Sequence, residues 1–311
     1  MGKIACLFPG QGSQKVGMGK EIAESFAEAK QVYREADEVL GYSLSRLCFE
    51  GPEDTLRLTE HTQPALLTTS LALYEVFRQS GIRPDFVAGH SLGEYSALVV
   101  AGVLSLRDAV ATVHKRGTYM EEAVPAGVGA MSAVLACERD VLDEICRLVS
   151  CEGNIVEPAN YNCPGQIVIS GHADAVRVAG EKALEAGARK VVPLTVSGPF
   201  HSSLMSPASK RLADTLQGVG FQEAQIPVIA NVSALPVTKP AEIREALIHQ
   251  VASPVLWEDT VRTLLDQGVD TFIEIGAGNV LSALVKKVNR RITTISIQDP
   301  ATLEKALEQL R

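Results

Sequence analysis

The sequence predicts an α/β protein: a mostly parallel sheet layered with helices, carrying a small antiparallel α+β unit in its middle. Three observations lead there. Short, apolar, partly β-branched runs alternate with periodic segments of helical length over most of the 311 residues. One such run leads straight into Gly89-His90-Ser91-Leu92-Gly93, a Gly-x-Ser-x-Gly turn of the kind that joins a strand to a helix. Between about Pro125 and Val196 the order of elements changes to β-α-β-β-α-β, the ferredoxin-like unit.

Taken in order, Ile4–Phe8 is the first strand, and Pro9-Gly10-Gln11-Gly12-Ser13-Gln14 is the loop at its carboxyl end, where ligand crevices of parallel sheets lie. This loop lacks the Gly-Lys-Ser/Thr ending of a phosphate-binding P-loop. Phe86–Ala88 is the next strand, followed by the Ser91 turn and a helical stretch, Leu92–Ala101. Ser105-Leu106-Arg107-Asp108 is a capping pattern that opens a helix with Ala109, Val113 and Met120 on its apolar stripe. In the middle unit, Gly129–Leu135, Ile155–Ala159, Gln166–Ser170 and Lys190–Val196 are strands. Glu138–Val149 and Ala173–Ala186 are its helices. Val228–Val232, Thr271–Ile275 and Thr293–Ile297 return to the larger sheet. Pro125-Ala126-Gly127 and Ser197-Gly198-Pro199 are hinges. The expected organisation is therefore a large domain from residues 1–124 and 197–311, with a small domain, residues 125–196, inserted in it. A binding cleft is expected between the two.

Composition narrows the function. Apolar residues are 46% of the chain, enough for a large core. The net charge is −8, which speaks against a nucleic-acid binder. No apolar run approaches the length of a membrane span, and the first residues form a strand pattern rather than a signal peptide. The six cysteines, Cys6, Cys48, Cys137, Cys146, Cys151 and Cys163, include no Cys-x-x-Cys pair. That spacing argues against a zinc site and suggests reduced thiols in a cytoplasmic protein.

In the Gly-x-Ser-x-Gly turn, Ser91 stands exposed at the tip of a sharp turn beside helix-terminal amides, the setting of an activated nucleophile; the alternative is a strand-to-helix turn with a capping serine. A nucleophilic serine needs a base. Of His61, His90, His114, His172, His201 and His249, the best placed is His201, which follows Gly198-Pro199-Phe200 at the second hinge. Position alone leaves it either a base or a surface residue. His249 lies in a helical run and fits a packing or capping role equally well. His90 adjoins Ser91 but should point away. Arg116 falls on the inward stripe of its helix, three residues after Val113 and four before Met120. Bare charge is costly there, so Arg116 needs an anion, either a protein carboxylate or a ligand carboxylate held by two parallel N–H···O bonds. Gly276-Ala277-Gly278-Asn279-Val280-Leu281 imitates a dinucleotide fingerprint, but Leu281 replaces its third glycine and nicotinamide binding is discounted.

Together these residues resemble the malonyl-CoA:acyl carrier protein transacylases, with the acyltransferase domains of polyketide synthases as close relatives. The resemblance spans essentially the whole chain. It rests on Phe8 to Gln14, Gly89 to Glu94, Arg116-Gly117 with Met120, Asn160 to Gly171, Gly198 to Ser202, and Glu274-Ile275-Gly276 with Gly278. It implies a hydrolase-like α/β domain with a ferredoxin-like insert. Residue by residue, it implies that Ser91 is the nucleophile and His201 its base. The backbone amides of Gln11 and Leu92 form the oxyanion hole, and Arg116 clamps the malonyl carboxylate. The Gln250 carbonyl orients His201, and Gln63, Asn160 and Phe200 line the site. Phe at position 200 accompanies malonyl rather than methylmalonyl preference. The implied substrates are malonyl-CoA and an acyl carrier protein, with no metal or bound cofactor, and the implied state is a monomer. Carrier docking would need a local basic patch; Lys286-Lys287 with Arg290-Arg291 and Arg189-Lys190 are the candidates, and the reading favoured for them is a solvated helix face and loop. Rival readings are an acyltransferase serving a polyketide synthase and a serine acyl hydrolase with an acidic third member.

Overall fold

A computed structural model describes residues 2–125 and 127–310. Met1 and Arg311 lie outside the described residues, as does Ala126 of the expected Pro125-Ala126-Gly127 hinge. The strands in chain order are β1 (Lys3–Phe8), β2 (Phe86–Gly89), β3 (Gly129–Leu135), β4 (Val156–Cys163), β5 (Gln166–His172), β6 (Lys190–Pro193), β7 (Val228–Ile229), β8 (Pro236–Val237), β9 (Val269–Ile275) and β10 (Thr293–Ile297).

Six of them form one sheet in the order β10-β9-β1-β2-β7-β8, parallel except for the β7–β8 pair. β1 lies inside this sheet, and Ile4 to Phe8 are all buried, as expected for a parallel strand covered on both faces. The remaining four strands form a separate antiparallel sheet in the order β4-β5-β3-β6. With the helices Arg139–Val149 and Ala173–Glu185 between its strands, this is the ferredoxin-like topology. Its helices and sheet share a core of Val134, Leu142, Ile145, Val156 and Ile169. A parallel bridge between Asn160 and Val255 stitches β4 to the larger unit.

Three expected strands differ in extent by three residues or more at one end. Val228–Val232 is a strand only at Val228–Ile229; the chain then leaves the sheet, and Asn231 turns toward the Ser91 turn. The expected Ile155–Ala159 starts one residue later and runs on to Cys163. Its register shifts at Pro158/Asn160, where proline has no N–H to give the ladder. Lys190–Val196 ends at Pro193 for the same chemical reason.

The two helices that carry the site cross closely. The helix Leu106–Glu122 starts at the Ser105 cap, whose hydroxyl accepts from the Asp108 amide at 3.0 Å. It packs on the long helix Thr59–Phe77 with Ala109, Val113, Arg116, Gly117 and Met120 all buried.

Candidate active site

β2 ends at Gly89, and the helix Gly93–Val100 begins four residues later, so the chain reverses around Ser91. The reversal is possible only because neighbouring backbone comes very close. A Cβ on Gly93 would lie 2.0 Å from the Phe8 carbonyl oxygen, and one on Gly10 would lie 2.3 Å from that of His90. The second contact seats the Gln11 loop against the turn. Ser91 adopts φ 50°, in the left-handed region, which costs an L-residue about 1–2 kcal/mol. Asn231 compensates: its Oδ1 accepts from the Ser91 amide at 2.7 Å and its Nδ2 donates to the Gly89 carbonyl at 2.8 Å. One side chain thus pins both ends of the strained turn.

The Ser91 hydroxyl donates to His201 Nε2 at 2.8 Å. His201 Nδ1 donates to the backbone carbonyls of Gln250 at 2.9 Å and Ser253 at 3.2 Å. Two carbonyls on one ring nitrogen require a proton there, so Nε2 carries the lone pair that faces Ser91. His201 is 4% exposed and also holds a left-handed φ of 58°. Burial and the nearby Arg116 charge push its pKa from 6.5 down to about 3, against the opposing effect of its carbonyl partners. The imidazole is therefore a neutral acceptor. Neither the Gln11 nor the Leu92 amide donates to another protein group among the described residues, and both border the Ser91 turn.

Arg116 is 1% exposed. Its Nη1 donates to Gln63 Oε1 at 2.7 Å, and its Nη2 donates to Ser91 Oγ at 3.1 Å and Gln250 Oε1 at 2.9 Å. Among the described residues it forms no ion pair with a carboxylate, and its Nε has no partner. The two alternatives left open by sequence are thus resolved on the protein side: no Asp or Glu takes this guanidinium directly. Burial lowers its pKa, with the fields of Tyr95 and Glu94 opposing.

Sequence reading brought Ser91, His201, Arg116, Gln63 and Gln250 to one place. Asn160 and Phe200 are both buried, Asn160 on β4 where it bridges to Val255, and Phe200 directly before His201. His90 points away, its Nε2 2.9 Å from Asn162 Oδ1 and its ring against Trp257. His249 is exposed beside Glu245, at 3.9 Å. Lys286 spends its ammonium on the carbonyls of Arg290 and Ile292. Glu274 caps the helix Val280–Val288, accepting from the Leu281 amide at 3.0 Å and the Ser282 amide at 2.7 Å, the donors a pyrophosphate would use. Among the described residues no cluster of three or more His, Cys, Asp or Glu could hold a metal ion, and no helix is long and apolar enough to cross a membrane.

Two features were missed. Asn231 lies just past the carboxyl end of β7, a position that marks crevice residues in parallel sheets, and that signal could have found it. The Gln250 side chain was the other. Besides accepting from Arg116, it donates through Nε2 to the Ser91 carbonyl at 3.0 Å and to Glu94 Oε2 at 2.7 Å.

Comparison with known proteins gives a consistent picture. The family model described as acyl transferase domain matches residues 6–303. The malonyl CoA-acyl carrier protein transacylase of Bacillus subtilis (strain 168) is 57% identical over 311 residues, covering 100% of this chain and 98% of its own. The crystal structure of an acyl carrier protein S-malonyltransferase from Vibrio cholerae O1 superposes with a TM-score of 0.95 at 46% identity, covering 98% of this chain and 99% of that one. A malonyl-transacylase solved in complex with its type II PKS acyl-carrier protein superposes with a TM-score of 0.96 at 44% identity, covering 99% of each chain.

Proposed function

The chain belongs to the acyl transferase family, and from that premise we propose that it carries malonyl from malonyl-CoA to the phosphopantetheine thiol of an acyl carrier protein, by way of a malonyl ester on Ser91. It thereby supplies fatty-acid synthesis. The observation that carries this reading is Arg116: a buried guanidinium with no carboxylate partner among the described residues, 3.1 Å from the nucleophilic oxygen. A malonyl group on Ser91 brings its own carboxylate to that cation, whereas an acetyl group brings none.

In the first half-reaction Ser91 Oγ bonds to the thioester carbonyl carbon while His201 Nε2 takes the hydroxyl proton. The Gln11 and Leu92 amides receive the oxyanion, each worth roughly 3 kcal/mol to the transition state. The C–S bond then breaks, and the proton passes from His201 to the departing sulfur. The second half runs in reverse with the carrier's thiol as nucleophile, and Ser91 recovers its proton. Coenzyme A enters as part of the substrate, and these steps use no metal or further cofactor. His201 is oriented by the Gln250 and Ser253 carbonyls rather than by a carboxylate, so the pair acts as a dyad. This counts against a hydrolase with an acidic third member. Buried Phe200, beside the base, fits a pocket trimmed to malonyl. The same reading has the protein act as a cytoplasmic monomer with its thiols reduced; its cysteines are unpaired in the structure.

Two-substrate kinetics test the proposal. Varying malonyl-CoA at several carrier concentrations should give parallel double-reciprocal lines, the signature of a covalent intermediate released before the second substrate binds. Intersecting lines would require both substrates on the protein at once and would exclude the Ser91 ester as an obligatory intermediate.

The low His201 pKa makes a second prediction. Protonation removes the base, and the folded protein resists it down to about 3. An ordinary imidazole would be only about 3% neutral at pH 5. The rate constant for Ser91 acylation at pH 5 should therefore stay within about two-fold of its value at pH 7. A fall of about twenty-five-fold over that range would show an unshifted histidine.

A further inference from the structure

Glu94 is the second buried charge of this site, and none of the steps above uses it. It is 1% exposed, on the first turn of the helix Gly93–Val100. Its Oε2 accepts from Gln250 Nε2 at 2.7 Å and from the Asn231 amide at 3.2 Å. Among the described residues it forms no ion pair with a cation. Arg116 has the complementary deficit. Between the two stands one neutral group, the Gln250 carboxamide, with Oε1 toward the guanidinium and Nε2 toward the carboxylate. That orientation aligns the amide dipole with both charges, so the three groups form an ion pair with a dipole inserted in it. A buried guanidinium and a buried carboxylate are each expensive alone and much less so when coupled.

We propose that Glu94 is a positioning residue that sets acyl specificity: through Gln250 it supplies the standing counter-charge of Arg116 and so fixes how much the guanidinium gains from a carboxylate-bearing acyl group. The proposal rests on the malonyl-transfer reading for its substrate and on the Glu94–Gln250–Arg116 geometry for its mechanism. While Glu94 is charged, Arg116 is already partly compensated, and an arriving malonyl carboxylate competes with it. Without that charge the cation is bare, and a malonyl carboxylate gains more, whereas acetyl, which has none, is indifferent. The same carboxylate also ties Asn231, which pins the Ser91 turn, to Gln250, whose carbonyl holds His201. Burial raises its pKa to about 7, while Gln250, Asn231 and Arg116 hold it back, so the counter-charge is fully present only above pH 7, where both readouts below are made.

The substitution that isolates the charge is Glu94→Gln, which keeps the shape and retains an amide oxygen to accept from Gln250 and Asn231. Two readouts are needed. The first is thermal stability of Glu94→Gln, Arg116→Met and the double variant. The charge pair predicts that Glu94→Gln lowers the midpoint and that adding Arg116→Met restores at least half of the loss. Should Glu94→Gln fail to fold, the double variant must still fold. The second readout is Ser91 acylation by malonyl-CoA and by acetyl-CoA. Here Glu94→Gln should lower KM for malonyl-CoA by about five-fold with kcat nearly unchanged, and leave KM for acetyl-CoA where it was. Additive losses of stability, a double variant that does not fold, or KM values that move equally for both acyl groups would each overturn the proposal. Failure of the malonyl-transfer reading itself would show separately, as a wild-type protein that malonyl-CoA does not acylate, with the stability comparison still readable.

Discussion

His201→Ala is expected to slow acylation of Ser91 by malonyl-CoA by about four orders of magnitude, with KM little changed, because removing the base of a serine dyad removes transition-state rather than ground-state stabilisation. The structure gives this histidine no substitute. The other nitrogen-bearing group on Ser91 Oγ is Arg116, a donor that cannot accept a proton. His90, the nearest histidine in sequence, is committed to Asn162 and Trp257. Single-turnover mass spectrometry of the acyl-enzyme measures the effect directly. A loss below about ten-fold would mean that some other group takes the serine proton.

Arg116→Ala should cost malonyl transfer about 100- to 1000-fold, the usual consequence of removing one partner from a buried, hydrogen-bonded charge pair. Acetyl transfer should fall far less, since it loses only the contacts that both substrates share, the bond from Nη2 to Ser91 Oγ and the support of Gln63 and Gln250. The diagnostic quantity is the ratio of kcat/KM for the two thioesters, which should collapse by about two orders of magnitude. An equal loss on both would reduce Arg116 to a structural prop for Gln63, Gln250 and the serine, and the malonyl assignment would lose its strongest physical support.

Much of this was legible in the chain because it is local. The Ser91 turn is five consecutive residues, and the inward position of Arg116 follows from helical spacing against Val113 and Met120. The ferredoxin-like unit follows from the order of elements, which its antiparallel β4-β5-β3-β6 sheet matches. What sequence left open needed tertiary structure. Whether His201 lies at the surface depends on Gln250 and Ser253, about fifty positions away, and whether Arg116 has a protein carboxylate depends on every element packed on its helix. Asn231 was missed because its partner, the Ser91 amide, is 140 positions distant and the strand before it is only two residues long. Glu94 sat in plain view beside the serine. Its meaning lies in the Gln250 carboxamide, 156 positions on, which no periodicity could place against it.

The strained backbone has the same distributed origin. Ser91 and His201 both sit at positive φ, and both are held by contacts from remote segments: Asn231 on one side, the Gln250–Ser253 carbonyls on the other. Strain of this kind persists only where the surroundings over-determine it, and here the result is a hydroxyl and an imidazole fixed 2.8 Å apart before any substrate binds.

The central claim is a malonyl ester on Ser91 that the carrier thiol discharges. The most direct measurement is intact-protein mass spectrometry after mixing with malonyl-CoA, with acetyl-CoA and the Ser91→Ala variant run alongside. The account predicts a malonyl adduct on the wild type, much less acetyl adduct, none on Ser91→Ala, and loss of the malonyl adduct to a phosphopantetheinylated carrier protein. Release of free malonate with no transfer to the carrier, or an adduct that persists in Ser91→Ala, would contradict it.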